Sequence, residues 1–148
     1  MPAIPQLLPR LLREWLGRTF HRRGTKDLGR LGDCIAADYL AARGFRRLGA
    51  NVRLRRGEID LLFEDPDART IVLVEVKARK RRPGEARPIA PEAAITARKR
   101  AKLLTLLRTL RRLNGWEDRP ARIDVVGVEW PADMGEPSVR HHAGAVRA

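Results

Sequence analysis

Apolar residues recur along this chain with two periods, and the switches between them mark its elements. Leu31, Ile35, Ala36 and Leu40 form one stripe of a helix predicted from about Leu28 to Arg43, with Asp27 suited to its N-cap and Gly44 to its C-terminal stop. Phe45 to Leu54 reads as a strand of mixed polarity and Arg55-Arg56-Gly57 as a tight turn. Glu58 to Glu64 reads as a second strand, in which Ile59 and Leu61 alternate with Glu58 and Asp60. Asp65-Pro66-Asp67 turns the chain, and Thr70 to Val76 is almost wholly β-branched or apolar, the signature of a central strand covered on both faces.

The helical period returns in a long helix predicted from near Pro91-Glu92 to Gly115, with Leu103, Leu106, Leu107, Leu110 and Leu113 on its core stripe. Between strand and helix, Arg79 to Pro91 mixes Arg, Lys, Pro and Gly and predicts a mobile basic loop. Ala121 to Val128 is the last predicted strand, and residues 131–148, rich in Pro, Gly and His without periodicity, predict a disordered tail. Residues 1–26 space Leu7, Leu8, Leu11, Leu12, Trp15, Leu16 and Phe20 as an amphipathic helix would, among arginines. This extension reads either as a frayed segment or as a docking segment for a partner or an anionic surface, and its Arg-rich start resembles an organelle transit peptide. The expected organisation is an extension over 1–26, one α/β domain over 27–130 and a tail over 131–148.

Charge narrows the class of partner. Lys and Arg number 31 against 18 Asp and Glu, a formal net charge of +13, which gathers polyanions and by itself specifies no reaction. The single Cys34 cannot form an internal disulfide and, lying inside the apolar helical pattern, is expected to be a buried small side chain. No stretch reaches the roughly 20 apolar residues that span a bilayer, and no secretory signal pattern is present, so a cytoplasmic protein is expected. Trp116 and Trp130 read as packing residues, and the adjacent His141 and His142 lack a third ligand for a metal site.

The chemistry concentrates in two strands. In Glu75-Val76-Lys77 the acid and the ammonium share one side of a strand, because strand side chains alternate. If the preceding strand pairs antiparallel through the turn at Asp65 to Asp67, Asp60 joins them at the neighbouring position. Two carboxylates and a lysine then lie beside Ile71, Val72, Leu73 and Val74, where unpaired charge is costly. The cluster reads either as a salt-bridge network or as a site for a hard cation such as Mg²⁺ or Mn²⁺, with Asp60 and Glu75 as ligands and Lys77 holding or deprotonating water. An ammonium can surrender a proton where a guanidinium cannot, so lysine suits that role.

These residues fall into a wider pattern. Leu28-Gly29-Arg30-Leu31-Gly32-Asp33, Ala36, Tyr39-Leu40, Gly44-Phe45, Asn51-Val52-Arg53, Gly57-Glu58-Ile59-Asp60-Leu61, Val74-Glu75-Val76-Lys77 with Arg79, and Arg122 with Asp124-Val125 together resemble the YraN-like uncharacterised bacterial family over roughly 27–130. That family resembles the PD-(D/E)xK restriction-endonuclease-like superfamily, similar to archaeal Holliday junction resolvases. The resemblance implies an αβββαβ core with a central mixed sheet flanked by helices. It also implies catalytic roles for Asp60, Glu75 and Lys77, with Glu58 as the adjacent acid. Asp33 stands where the family usually has a helix glutamate, and Ala78 where it tends to have Thr or Ser.

The expected function is therefore a nucleic-acid-binding, metal-dependent endonuclease-like phosphodiester hydrolase acting on structured or single-stranded DNA. The alternative is a non-catalytic module of the same fold that binds nucleic acid or docks on a DNA-processing partner protein. Resolvase-like relatives are dimers, so a homodimer is an open arrangement. Arg53, Arg55 and Arg56 before the Asp60 strand, and Arg79, Lys80, Arg81 and Arg82 after Lys77, together with Lys99, are the expected contacts to the nucleic-acid backbone, with DNA favoured over RNA.

Overall fold

A computed structural model describes residues 25–85, Ala90, Ala93 and residues 95–146. The amphipathic extension over residues 1–24 lies outside the described residues. Helix α1 (Thr25–Ala41) leads into β1 (Arg46–Leu54), β2 (Gly57–Glu64) and β3 (Ile71–Lys80), followed by helix α2 (Ala97–Asn114), β4 (Ala121–Trp130) and β5 (Ser138–Val146). The described strands form one mixed sheet in the order β1-β2-β3-β4-β5. Only β3 and β4 run parallel, and α2 is the crossover that joins them. The chain is thus α/β with the expected αβββαβ order, extended by one strand.

Each helix covers one face. Leu31, Ile35, Ala36 and Leu40 of α1 pack with Phe63, Val72, Val74 and Trp130, while Leu103, Leu106, Leu107 and Leu110 of α2 pack with Ile59, Ile71, Leu73 and Val125. Strand β3 therefore buries alternate residues under both helices, which is why its sequence is almost continuously apolar. Trp116 lies against the α2-side core.

The described β5 corrects the expected disordered tail. Asp124, fully buried on β4, accepts hydrogen bonds from His141 Nε2 at 2.8 Å, from Arg122 Nε at 2.9 Å and from the Gly144 amide at 2.8 Å. Burial alone would raise the Asp124 carboxyl; the bonds from His141 and Arg122 outweigh it and hold the group below its ordinary value. These contacts fix an edge strand that hydropathy alone does not announce. His141 is accordingly a structural anchor.

Further differences concern α1 and α2. Helix α2 begins at Ala97, because Thr96 caps it by accepting from the Lys99 amide at 3.2 Å; Pro91 and Glu92 lie outside the described residues. Leu113, assigned to the core stripe, is 67% exposed two residues before the Gly115 cap. Cys34 is exposed, since it falls off the stripe that Leu31, Ile35 and Leu40 turn inward.

Candidate active site

Strand register brings the predicted acids together. The β2–β3 ladder pairs Leu61–Glu64 with Ile71–Val74, and beyond it the Val76 amide donates to Asp60 Oδ2 at 2.8 Å. Asp60 thus takes a main-chain donor past the paired stretch, which holds its carboxylate against β3. Glu75, 3% exposed, points to the α2 side, alternating with Val74 and Val76. Lys77 Nζ lies 3.0 Å from Glu75 Oε1, and Lys99 Nζ, from the first turn of α2, lies 2.9 Å from the same oxygen. Glu75 Oε2 is buried without a hydrogen-bond partner among the described residues.

Asp33 reaches the cluster from α1 because that helix approaches β3 closely. A Cβ built at Gly32 would lie 2.5 Å from the Ala78 Cβ, so only the smallest side chains permit this spacing. Ala78, which departs from the hydroxyl residue usual in the resembling family, has this packing role. Burial, then the charges of Glu75 and Glu58, push the Asp33 carboxyl up to about 6. Burial, then Glu75, with a smaller push from Asp33, raise Asp60 to about 6 despite the Val76 amide and Lys99. Negative charge is in excess here. Glu58 itself is exposed and pairs with Arg53 at 3.3 Å, so it contributes field at the rim and stands apart from the core of the site.

This donor set fits a hard divalent cation of one kind. Among the described residues no three carboxylate, imidazole or thiol side chains converge as a closed metal cage. Two carboxylates with one unpartnered buried oxygen instead match Mg²⁺ or Mn²⁺, which keep water and phosphate oxygens in most of their shell.

The expected backbone contacts separate into two groups. Arg79 pairs with Glu85 and lies 3.1 Å from Glu129, and Arg81 lies 3.4 Å from Glu129. The Glu129 contacts are close enough for ion pairs but too poorly aligned for hydrogen bonds, since Arg79 Nε and Arg81 Nε remain unbonded. Both arginines therefore have an internal acidic partner, because Glu129 on β4 faces them in the parallel register. Arg55, Arg56, Lys80 and Arg82 are exposed, and no described acid pairs with their side chains. Lys99, expected on the nucleic acid, is instead inside the site on Glu75. Its spacing one helical turn before Leu103, at the capped start of α2, is the signal that could have placed it.

The sequence profile described as Uncharacterised protein family UPF0102 matches residues 32–128, which hold every residue of this cluster. The chain belongs to that family. A UPF0102 protein of Clavibacter michiganensis is 43% identical over 114 residues, covering 77% of this chain and 91% of its own. One from Renibacterium salmoninarum is 41% identical over 118 residues, covering 80% and 94%, and one from Symbiobacterium thermophilum is 40% identical over 105 residues, covering 71% and 84%. The matched segment takes in most of α1, strands β1 to β3, α2, most of β4 and the charged cluster, and leaves β5 outside it. No described helix is long and apolar enough to cross a membrane.

Proposed function

We propose that this UPF0102 protein is a metal-dependent endonuclease-like phosphodiester hydrolase acting on structured or single-stranded DNA. The observation that carries the reading is the division of labour on Glu75: two ammonium groups occupy Oε1 while Oε2 stays buried and unpartnered beside Asp60. A charged oxygen left bare in a sheet interior is costly, and a bound cation removes that cost.

Asp60 and Glu75 would hold Mg²⁺ or Mn²⁺, which supplies acidified water and neutralises charge on the phosphate. Lys77, with 35% of its side chain exposed, stands at the mouth, where its ammonium would donate a hydrogen bond to the attacking water and orient it, and could take up that water's proton only after losing its own to solvent. Lys99, tied to Glu75 from α2, positions that carboxylate and offsets the acids' repulsion of a phosphodiester. Asp33, half-buried and raised to about 6, adds negative field from α1 that favours cation entry.

A second reading keeps the fold and drops the chemistry: the lysines already satisfy Glu75 Oε1, so the cluster can stand as an ion-pair network in a binding module. Incubation of labelled linear, single-stranded, flapped and four-way-junction DNA with Mg²⁺ or Mn²⁺ separates the two. Products that require metal and vanish in identically prepared Asp60→Ala and Lys77→Ala proteins support the nuclease. Salt-dependent binding by all three proteins without any metal-dependent cut supports the module.

A further inference from the structure

Away from the acidic cluster, the β1–β2 turn and the exposed side of α2 enclose a groove of about 400 Å³, lined by Leu54, Arg55, Arg56, Leu106, Arg108 and Arg112, with Thr105 and Thr109. All four arginines are exposed, and among the described residues none has an acidic partner. Four guanidinium groups gathered around one concavity repel each other, and here nothing described offsets that repulsion. Thr105 donates its hydroxyl proton to the Ala101 carbonyl at 3.0 Å, which leaves Thr109 as the hydroxyl donor free for a ligand. Leu54 and Leu106 give the groove an apolar floor, which strengthens charge-assisted bonds formed over it. Planar guanidiniums with a hydroxyl donor and no acid make a receptor for a phosphate oxygen pair.

The groove is joined to the acidic cluster by α2. Lys99 reaches Glu75 from the first turn, and Lys102, one turn on, lies over the start of β2, where a Cβ built at Gly57 would be 2.5 Å from the Lys102 Cε. Thr105, Thr109 and Arg112 continue the same row of the helix. From Lys99 to Arg112 the helix rises about 20 Å, the length of about six base pairs of duplex.

We infer that the Arg55, Arg56, Arg108 and Arg112 groove holds a backbone phosphate of a duplex DNA arm about six base pairs from the bond that is cut. The inference rests on the nuclease reading of the acidic cluster, but its geometry is that of a separate remote contact. It makes α2 the track of the bound arm and sets a minimum arm length for full affinity. Arg55 and Arg56 approach the backbone from the turn, and Arg108 and Arg112 from the helix.

Anisotropy of labelled four-way-junction DNA in EDTA, so that no bond is cut, tests this with the full chain. Junctions with arms of about four and about twelve base pairs are titrated across a salt series. The proteins are wild type, Arg108→Gln/Arg112→Gln, and Arg43→Gln/Arg47→Gln, which removes equal charge beside α1. On long arms the α2 variant is expected to lose about 0.9 from the slope of log affinity against log salt, the share of one phosphate, while the α1-side variant keeps the wild-type slope. On short arms all three proteins should bind alike. An α2 variant that matches wild type on long arms, or that loses equally on both lengths, overturns the inference and leaves the nuclease reading standing. Absence of salt-dependent binding by wild type overturns both.

Discussion

Lys99 Nζ, in the first turn of α2, lies 2.9 Å from Glu75 Oε1 on β3, and so the crossover helix is tied by charge to the strand it covers. Thr96 sets where that helix starts, and the start sets where Lys99 points. Replacing Lys99 by Met leaves the 3%-exposed Glu75 with Lys77 as its remaining cation. Lys99 is about one-third exposed and its ion pair partly screened, so the expected loss in EDTA is about 1 kcal/mol. Urea denaturation with and without Mg²⁺ checks the sign of the coupling: Mg²⁺ should stabilise Lys99→Met more than wild type, because the variant site is more negative.

Gly32 and Ala78 set the spacing between α1 and β3. Gly32→Ala should cost about 1–3 kcal/mol through overpacking, read as a lower denaturation midpoint. Gly32→Ala combined with Ala78→Gly removes the offending methyl and should recover part of the loss. Equal loss in the single and double variants would show that the contact is not the cause.

Asp124 joins three donors in the interior, two of them on or beside β5. Asp124→Asn removes the charge opposite Arg122 and one acceptor oxygen, with an expected loss of about 3 kcal/mol. Hydrogen exchange should show the β5 amides, Ser138–Val146, losing protection before those of β3.

The acidic cluster predicts a pH dependence of unusual sign. Asp33 and Asp60 are raised from 3.8 to about 6 in the fold, so between about pH 4 and pH 6 the native state binds more protons than the unfolded chain. Their contribution to stability is therefore present at low pH, declines as pH rises through that window, and is flat above it. Comparing wild type with Asp60→Asn in metal-free buffer isolates it: the variant should gain stability relative to wild type as pH rises from 4 to 6. A constant difference across the window would contradict the raised value.

The central residues of the candidate site were legible because each depends on a short-range rule. Alternation places Glu75 and Lys77 on one side of β3, and the turn at Asp65 to Asp67 makes β2 and β3 antiparallel, which brings Asp60 beside them. The place of Lys99 one turn before Leu103 signals the covered side of α2, but that it meets Glu75 depends on how α2 crosses the sheet. The pairing of Arg79 and Arg81 with Glu129 was likewise illegible, because it depends on parallel pairing with a strand some fifty residues later. Strand β5 was missed because its stability comes from Asp124 and its pairing to β4, and its own sequence carries no alternating apolar run.

The most direct measurement is single-turnover cleavage of the DNA that wild type prefers, in Mg²⁺ or Mn²⁺, by wild type and Glu75→Gln, with binding measured on the same samples in EDTA. Glu75→Gln keeps the shape of the side chain and removes the charge that the cation requires. The expected result is a rate at least about a hundredfold lower, the upper end of what losing even an outer partner of a metal ligand costs, with DNA binding retained. Cleavage by Glu75→Gln at the wild-type rate would contradict the account.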